Sequence, residues 1–142
     1  MKIITSSASE TKKFASRFVK KLKKGDILCL IGDLGSGKTT FIQGLARGLG
    51  IKENVSSPTF VLLNQYRGKL PLYHFDLYRL DNTDEIRNLG YEEFFYGGGI
   101  AVVEWAEKLK ELMPKKYIEI KFQVLGKNKR NITVNHRAHR DV

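Results

Sequence analysis

The sequence predicts an α/β protein, a mixed sheet held between two layers of helices, on three observations. First, the apolar run "DILCLI" at 26–31 feeds the glycine-rich "GDLGSGKTT" at 32–40, and a helical pattern follows at once. Second, strand-like and helix-like segments interleave along the chain, as they do when a sheet is covered on both faces. Third, two stretches read as strand pairs around a turn, which makes the sheet mixed rather than purely parallel.

Taken in order, Ser7-x-x-Glu10 is a candidate capping box. Behind it Phe14, Phe18, Val19 and Leu22 recur at helical spacing, so a helix is expected over about residues 9–23, stopped by Gly25. "DILCLI" is a short buried strand. From Lys38, the stripe Phe41, Ile42, Leu45 and Leu49 marks a second helix that Gly48 and Gly50 can end. "TFVLLNQY" and "LPLYHFDLY" flank "RGK" and read as a hairpin. "NTDEIRNLGYEEFFYGGG" reads as one or two short helices closed by glycines. "IAVVEW" is a buried strand ending in an acid, and "AEKLKELM" a short helix stopped by Pro114. "YIEIKFQVL" turns through "GKNK" and returns as "RNITVN", a terminal hairpin. Residues 136–142, "HRAHRDV", are expected to form a loose polar tail.

A chain of 142 residues suits one domain, 1–142, and leaves little room for a lid or a substrate domain. No apolar run approaches the ~18 residues of a membrane span, so no membrane contact is expected. The single cysteine, Cys29, cannot form an internal disulfide, which fits a cytoplasmic protein. The net charge of +10 is uneven: residues 1–71 hold 13 Lys/Arg against 4 Asp/Glu, whereas residues 72–142 hold 12 against 11. A basic face of this kind attracts nucleic acid or an acidic protein, or else is a solvated helix face with no partner.

"GDLGSGKTT" matches G-x-x-x-x-G-K-[ST], the loop that cradles nucleotide phosphates, and its strand-before, helix-after context is the one such a loop needs. The fold expectation sharpens accordingly to a three-layer α/β/α P-loop NTPase sandwich. Gly32, Gly35 and Gly37 let the backbone wrap the anion without side chains in the way. Loop amides from Asp33, Leu34, Gly35, Ser36, Gly37, Lys38, Thr39 and Thr40 are candidate phosphate contacts. Lys38 should reach the β- and γ-phosphates, and the Thr39 hydroxyl should face Mg²⁺. Hydrolysis also calls for an acid at a neighbouring strand end, and two qualify. Glu104 ends a fully apolar run, and spacing favours it as the metal partner. Asp76 ends an alternating run and is then the candidate for orienting or activating water. His74 reads as a packed or hydrogen-bonded residue, and His136 and His139 lack the company of a metal site.

The guanine-reading N-K-x-D and the D-x-x-G switch do not occur, nor does an L-S-G-G-Q-like transporter signature. The chain is too short for the helical lid of ring ATPases. Two other classes stay open on these residues: a small-molecule or nucleoside kinase, and a nucleotide-regulated RNA-binding module motivated by the basic N-terminal half.

Four motifs in order, "GDLGSGKTT", "SPTF" at 57–60, "YHFDLYRL" at 73–80 and "VEW" at 103–105, resemble those of the bacterial TsaE (YjeE) family over nearly the whole chain. The resemblance implies a P-loop ATPase that uses ATP and Mg²⁺ and is needed for threonylcarbamoyladenosine in tRNAs reading codons that start with A. It implies that the ATPase is weak alone and stimulated by a TsaB–TsaD complex that performs the transfer and through which tRNA is met. It carries the Walker lysine onto Lys38, the metal residues onto Thr39 and Glu104, the motif aspartate onto Asp76 and a partner or switch tryptophan onto Trp105. Thr59 would sit in a nucleotide-sensitive switch loop, and Thr11 and Lys127 would approach the nucleotide. Ser36 departs from the family's usual alanine, and the match is weakest beyond about residue 112.

Overall fold

The computed structural model describes residues 1–56 and 62–138. In chain order the elements are β1 (Lys2–Thr5), α1 (Ala8–Phe18), β2 (Ile27–Ile31), α2 (Lys38–Gly48), β3 (Leu63–Tyr66), β4 (Leu72–Asp76), α3 (Asp84–Leu89), α4 (Tyr91–Phe95), β5 (Ile100–Glu104), β6 (Lys116–Val124) and β7 (Arg130–Ala138). Short 3₁₀ turns cover Val19–Lys21 and Ala106–Leu112. The strands form one sheet in the order β1-β7-β6-β2-β5-β4-β3. The central strands β6, β2, β5 and β4 run parallel, and antiparallel partners flank them: β7 and then β1 on one side, β3 on the other. The mixed sheet expected from the sequence is therefore present.

Alternation along the strands divides the core in two. Leu28 and Leu30 of β2, with Val102 and Ile120, face α1 and α2 and meet Phe18, Phe41 and Leu45. Ile27 and Cys29, with Ala101 and Val103, face the other way and meet Ile86 of α3, Phe95 of α4 and Leu109. Both faces of β2 are buried, which is why its sequence is apolar throughout rather than alternating.

Helix α1 starts where the capping pattern places it. Ser7 Oγ accepts the Glu10 amide at 3.1 Å, and Glu10 Oε2 accepts the Ser6 amide at 2.9 Å. The helix is shorter than expected: it ends at Phe18 and tightens into 3₁₀ geometry through Lys21, a common way for a helix to close. Helices α1 and α2 cross very closely. A Cβ on Gly44 would lie 2.5 Å from the Lys12 carbonyl oxygen and 2.7 Å from Ala15 Cβ. Gly48, expected to be a helix stop, is another contact point, where a Cβ would meet Val19 Cγ1 at 2.4 Å. Gly50, at φ +75°, supplies the left-handed exit.

Two expectations are corrected. The sequence reading has no strand before α1, yet Lys2–Thr5 pairs with β7, residue for residue from Lys2↔Thr133 to Thr5↔Arg130. Four residues are too few to show a period, and the pairing partner lies at the far end of the chain. Residues 136–138, assigned to a loose tail, are the end of β7, with His136, Arg137 and Ala138 paired to Ile118, Tyr117 and Lys116. The short helix expected after β5 is present as 3₁₀ turns over Ala106–Leu112, broken at Lys110, whose φ is +49°.

Candidate functional site

The parallel strands β2, β5 and β4 all point their carboxyl ends to one edge of the sheet, and there an open cleft of about 310 Å³ forms. This is where ligands bind in open α/β sheets. The glycine-rich loop leaves β2 at this edge and turns on itself, with the Ser36 amide donating to the Asp33 carbonyl at 3.1 Å. Gly37 closes the loop at φ +106°, a conformation that suits glycine, and α2 begins at the next residue without a side-chain cap. The first turn of α2 thus presents its amides and the positive end of its dipole to the cleft.

The cleft brings together most of the residues the sequence proposes. Leu34, Gly35, Gly37, Lys38, Thr39 and Thr40 line it from the loop and α2, and Asp76, Glu104 and Trp105 line it from the opposite wall. Alternation from Leu72 carries His74 and Asp76 to the α2 face of β4, and alternation from Ile100 carries Glu104 to the same face of β5. Asp76 and Glu104 are register partners. Asp33 and Ser36 belong to the loop but do not line the cleft; Ser36 is buried, and its hydroxyl has no partner among the described residues.

Lys38 is almost fully buried, donates to the Gly32 carbonyl at 2.6 Å, and places its ammonium 3.9 Å from the centre of the Trp105 ring. Burial holds its pKa below the ordinary lysine value, opposed by the nearby carboxylates of Glu104, Glu107, Asp76 and Asp33. Trp105 takes up this position with a left-handed backbone, φ +59° and ψ +43°, a strained conformation for a bulky residue. Its ring is backed by Tyr78, with centroids 5.1 Å apart. Asp76 Oδ1 accepts the Tyr78 amide at 3.0 Å. Burial pushes the Asp76 carboxyl above its ordinary pKa; the Tyr78 amide counteracts this, and Glu104 adds to it.

Glu104 is 3% exposed and shares a 2.7 Å hydrogen bond with Nε2 of His74, itself fully buried. A carboxylate can only accept, so Nε2 donates to Glu104, and Nδ1 is buried without a partner among the described residues. His74 is therefore the packed, hydrogen-bonded residue the sequence suggests, and its partner is the proposed metal ligand. The cleft's donors toward a cation are hard oxygens, the Thr39 hydroxyl and the Glu104 carboxylate, which suits magnesium completed by phosphate and water. No group of three or more His, Cys, Asp or Glu that could hold a metal occurs among the described residues.

Three proposed residues lie elsewhere. Thr11 is buried beside the Thr5 hydroxyl at 2.7 Å and does not line the cleft. Lys127 is an exposed residue of the β6–β7 turn. Thr59, with the rest of "SPTF", lies outside the described residues. Arg130 was missed, although it lines the cleft. It crosses from the first residue of β7 to the Ser36 and Gly35 carbonyls at 3.1 and 3.3 Å and also binds the Gly126 carbonyl at 3.0 Å. It thus braces the phosphate loop against the last hairpin. Its only sequence signal is a basic residue opening a late strand, three positions from Lys127.

Residues 5–132 match the family model described as "Threonylcarbamoyl adenosine biosynthesis protein TsaE". The chain is 45% identical over 130 residues to the Bacillus subtilis protein named tRNA threonylcarbamoyladenosine biosynthesis protein TsaE, covering 91% of this chain and 81% of that one. It is 40% identical over 134 residues to the Treponema pallidum protein of the same name, covering 94% and 99%. The crystal structure of Bacillus subtilis YdiB aligns with a TM-score of 0.83 at 38% identity, covering 98% of this chain and 86% of that one.

Proposed function

The chain belongs to the TsaE family, and from that premise we propose that it is an accessory ATPase of tRNA threonylcarbamoyladenosine synthesis. It binds ATP with Mg²⁺, hydrolyses it slowly alone, and is stimulated in the cytoplasm by a TsaB–TsaD complex that completes the transfer on tRNA. The observation that carries the proposal is the convergence of Lys38, Thr39, Asp76 and Glu104 on one cleft at the carboxyl ends of the parallel strands.

The roles follow from the geometry. The loop amides and Lys38 hold the triphosphate, with Lys38 exchanging the Gly32 carbonyl for phosphate oxygen. Thr39 and Glu104 hold the magnesium, which when bound neutralises the phosphate oxygens. Asp76 orients a water and accepts its proton at a carboxylate oxygen, a task its raised pKa favours. The guanidinium of Arg130, the one arginine lining the cleft among the described residues, is engaged by backbone carbonyls and so is not committed to the developing charge. That supports slow intrinsic turnover and a need for partners.

Hydrolysis is favoured over transfer to a small acceptor because the cavity of about 1040 Å³, with room for one, lies at the opposite end of the sheet. No helix among the described residues is long and apolar enough to cross a membrane. The test is phosphate release by the purified chain with and without TsaB–TsaD. Clear stimulation is expected, and its absence sinks the proposal. Glu104→Ala should abolish Mg²⁺-dependent release by about 10²-fold or more while leaving nucleotide affinity within a few-fold. Equal losses of both would make Glu104 structural instead.

A further inference from the structure

A second cavity, about 1040 Å³, lies apart from the cleft at the glycine-rich loop. It opens at the amino ends of β2 and β6, between α1, β1 and the end of β7. Its floor is apolar. Ile3, Phe14 and Leu22 are partly buried against the helix-side core, and Ile118 and Val134 belong to that core. Ile4, 52% exposed, stands at its mouth.

The rim is strongly basic. Lys13, Arg17, Lys21, Lys24 and Lys116 all line it and make no ion pair among the described residues. The two acids of the lining are already engaged. Glu10 accepts the Ser6 amide, and Asp26 is paired with Lys23 at 3.2 Å. Arg137 is paired with Glu119. Five of the 13 basic residues of the N-terminal half, Lys13, Arg17, Lys21, Lys23 and Lys24, thus stand around an apolar trough rather than over a wholly solvated helix face.

We infer that this trough is the docking site for an acidic amphipathic segment of a protein partner, apolar side chains on the floor and carboxylates against the five rim cations. The inference rests on the proposed function, which requires a protein partner, and it names the surface that partner uses. Charge complementarity selects the sign of the occupant, and the floor selects its class. A nucleic acid backbone would satisfy the cations, but it would lay phosphates and sugars on aliphatic side chains that offer them nothing. Phe14 and Phe18 are stacked on each other, at 5.9 Å and 10°, and are not presented as platforms for bases. An apolar trough rimmed by charge is instead the groove that an amphipathic segment fills. Because the trough and the phosphate cleft lie at opposite ends of the sheet, docking leaves the nucleotide loop open.

The test is the affinity of the full chain for the TsaB–TsaD complex at two salt concentrations. It compares wild type with the charge-reversal variant Lys13→Glu/Arg17→Glu/Lys24→Glu and with Ile4→Ser. These positions are exposed, and a retained circular dichroism spectrum and nucleotide affinity report that each variant is folded. Binding weakened by roughly tenfold or more in the reversal variant, with a flatter salt dependence, is expected, along with a smaller loss for Ile4→Ser. Unimpaired binding by the variants, with wild type binding normally, overturns the inference and leaves the functional proposal standing. Failure of the wild type itself to bind overturns both. Loss of tRNA affinity with partner affinity intact also overturns the inference and reassigns the surface to nucleic acid.

Discussion

Replacing His74 with phenylalanine removes the imidazole from Glu104 and leaves a ring of similar shape in its place. The bond lost is a 2.7 Å contact to a carboxylate that is 3% exposed. A hydrogen bond to a charged group contributes about 1.5–3 kcal/mol, and orphaning a buried charge costs more. Glu104 borders the cleft and can recruit a water there, which favours the lower range, about 2–3 kcal/mol. For 142 residues, an unfolding entropy near 2.1 cal/mol/K per residue turns this into a fall in Tm of roughly 7–10 °C. The same substitution removes one hydrogen bond that orients the Glu104 carboxylate, so the Mg²⁺ concentration needed for half-maximal turnover should rise by about tenfold or more. His74→Gln keeps a donor and should recover much of both effects. The assays are thermal denaturation without ligand and a magnesium titration of phosphate release. A Tm within about 2 °C of wild type, together with an unchanged magnesium requirement, would refute the reasoning.

Other outcomes follow from the same geometry. Gly44→Ala should destabilise by about 1–3 kcal/mol, because the new methyl meets the Lys12 backbone and cannot be accommodated by a rotamer change; denaturant melts that overlay wild type would contradict the close crossing. Asp76→Asn should slow turnover by about 10²-fold or more and yet raise Tm at pH 7.5. The sign follows from linkage: a carboxyl whose folded pKa is raised favours the fold below its unfolded pKa, and that contribution is lost as pH rises through the folded pKa. The stabilisation should therefore vanish near pH 3, where the wild-type carboxyl is protonated as well, and a gain that persists there would point to some other cause. Cys29 is fully buried, and burial pushes its thiol up to about 12. Alkylation at pH 8 should be negligible in the native state and fast in denaturant, whereas rapid native labelling would show that β2 opens locally.

Much of the phosphate site was legible in the sequence because its parts are local. The loop glycines, Lys38 and Thr39 lie in one short stretch, and Asp76 ends an alternating run and Glu104 an apolar one, so both read as strand-end acids. What escaped depends on contacts across the chain. Strand β1 is defined by a partner more than a hundred residues away. Arg130 reaches the Gly35 carbonyl across a separation of 95 residues, and nothing in "RNITVN" announces it. The partner of His74 becomes visible only when β4 and β5 lie side by side, 30 residues apart in the chain. The basic residues of α1 were readable, but the trough they surround is built from α1, β1, β6 and β7 together. Gly48 is the last residue of α2, as the sequence suggests, and its second role as a packing surface against Val19 is visible only in three dimensions.

The sheet's edge also sets a timetable. Among the described residues strand β1 pairs with β7 alone, which is made more than a hundred residues later, and the Met1 amino group donates to the Val134 carbonyl at 2.9 Å. Arg130, which braces the loop, arrives with that same strand. At roughly 5–20 residues per second, the opening strand waits several seconds for its partner. During that wait the phosphate loop, already synthesised, has no brace. The shape of the glycine-rich loop is thus tied to the completion of residues 130–138, and a chain released before them would carry all of "GDLGSGKTT" without the hairpin that braces it.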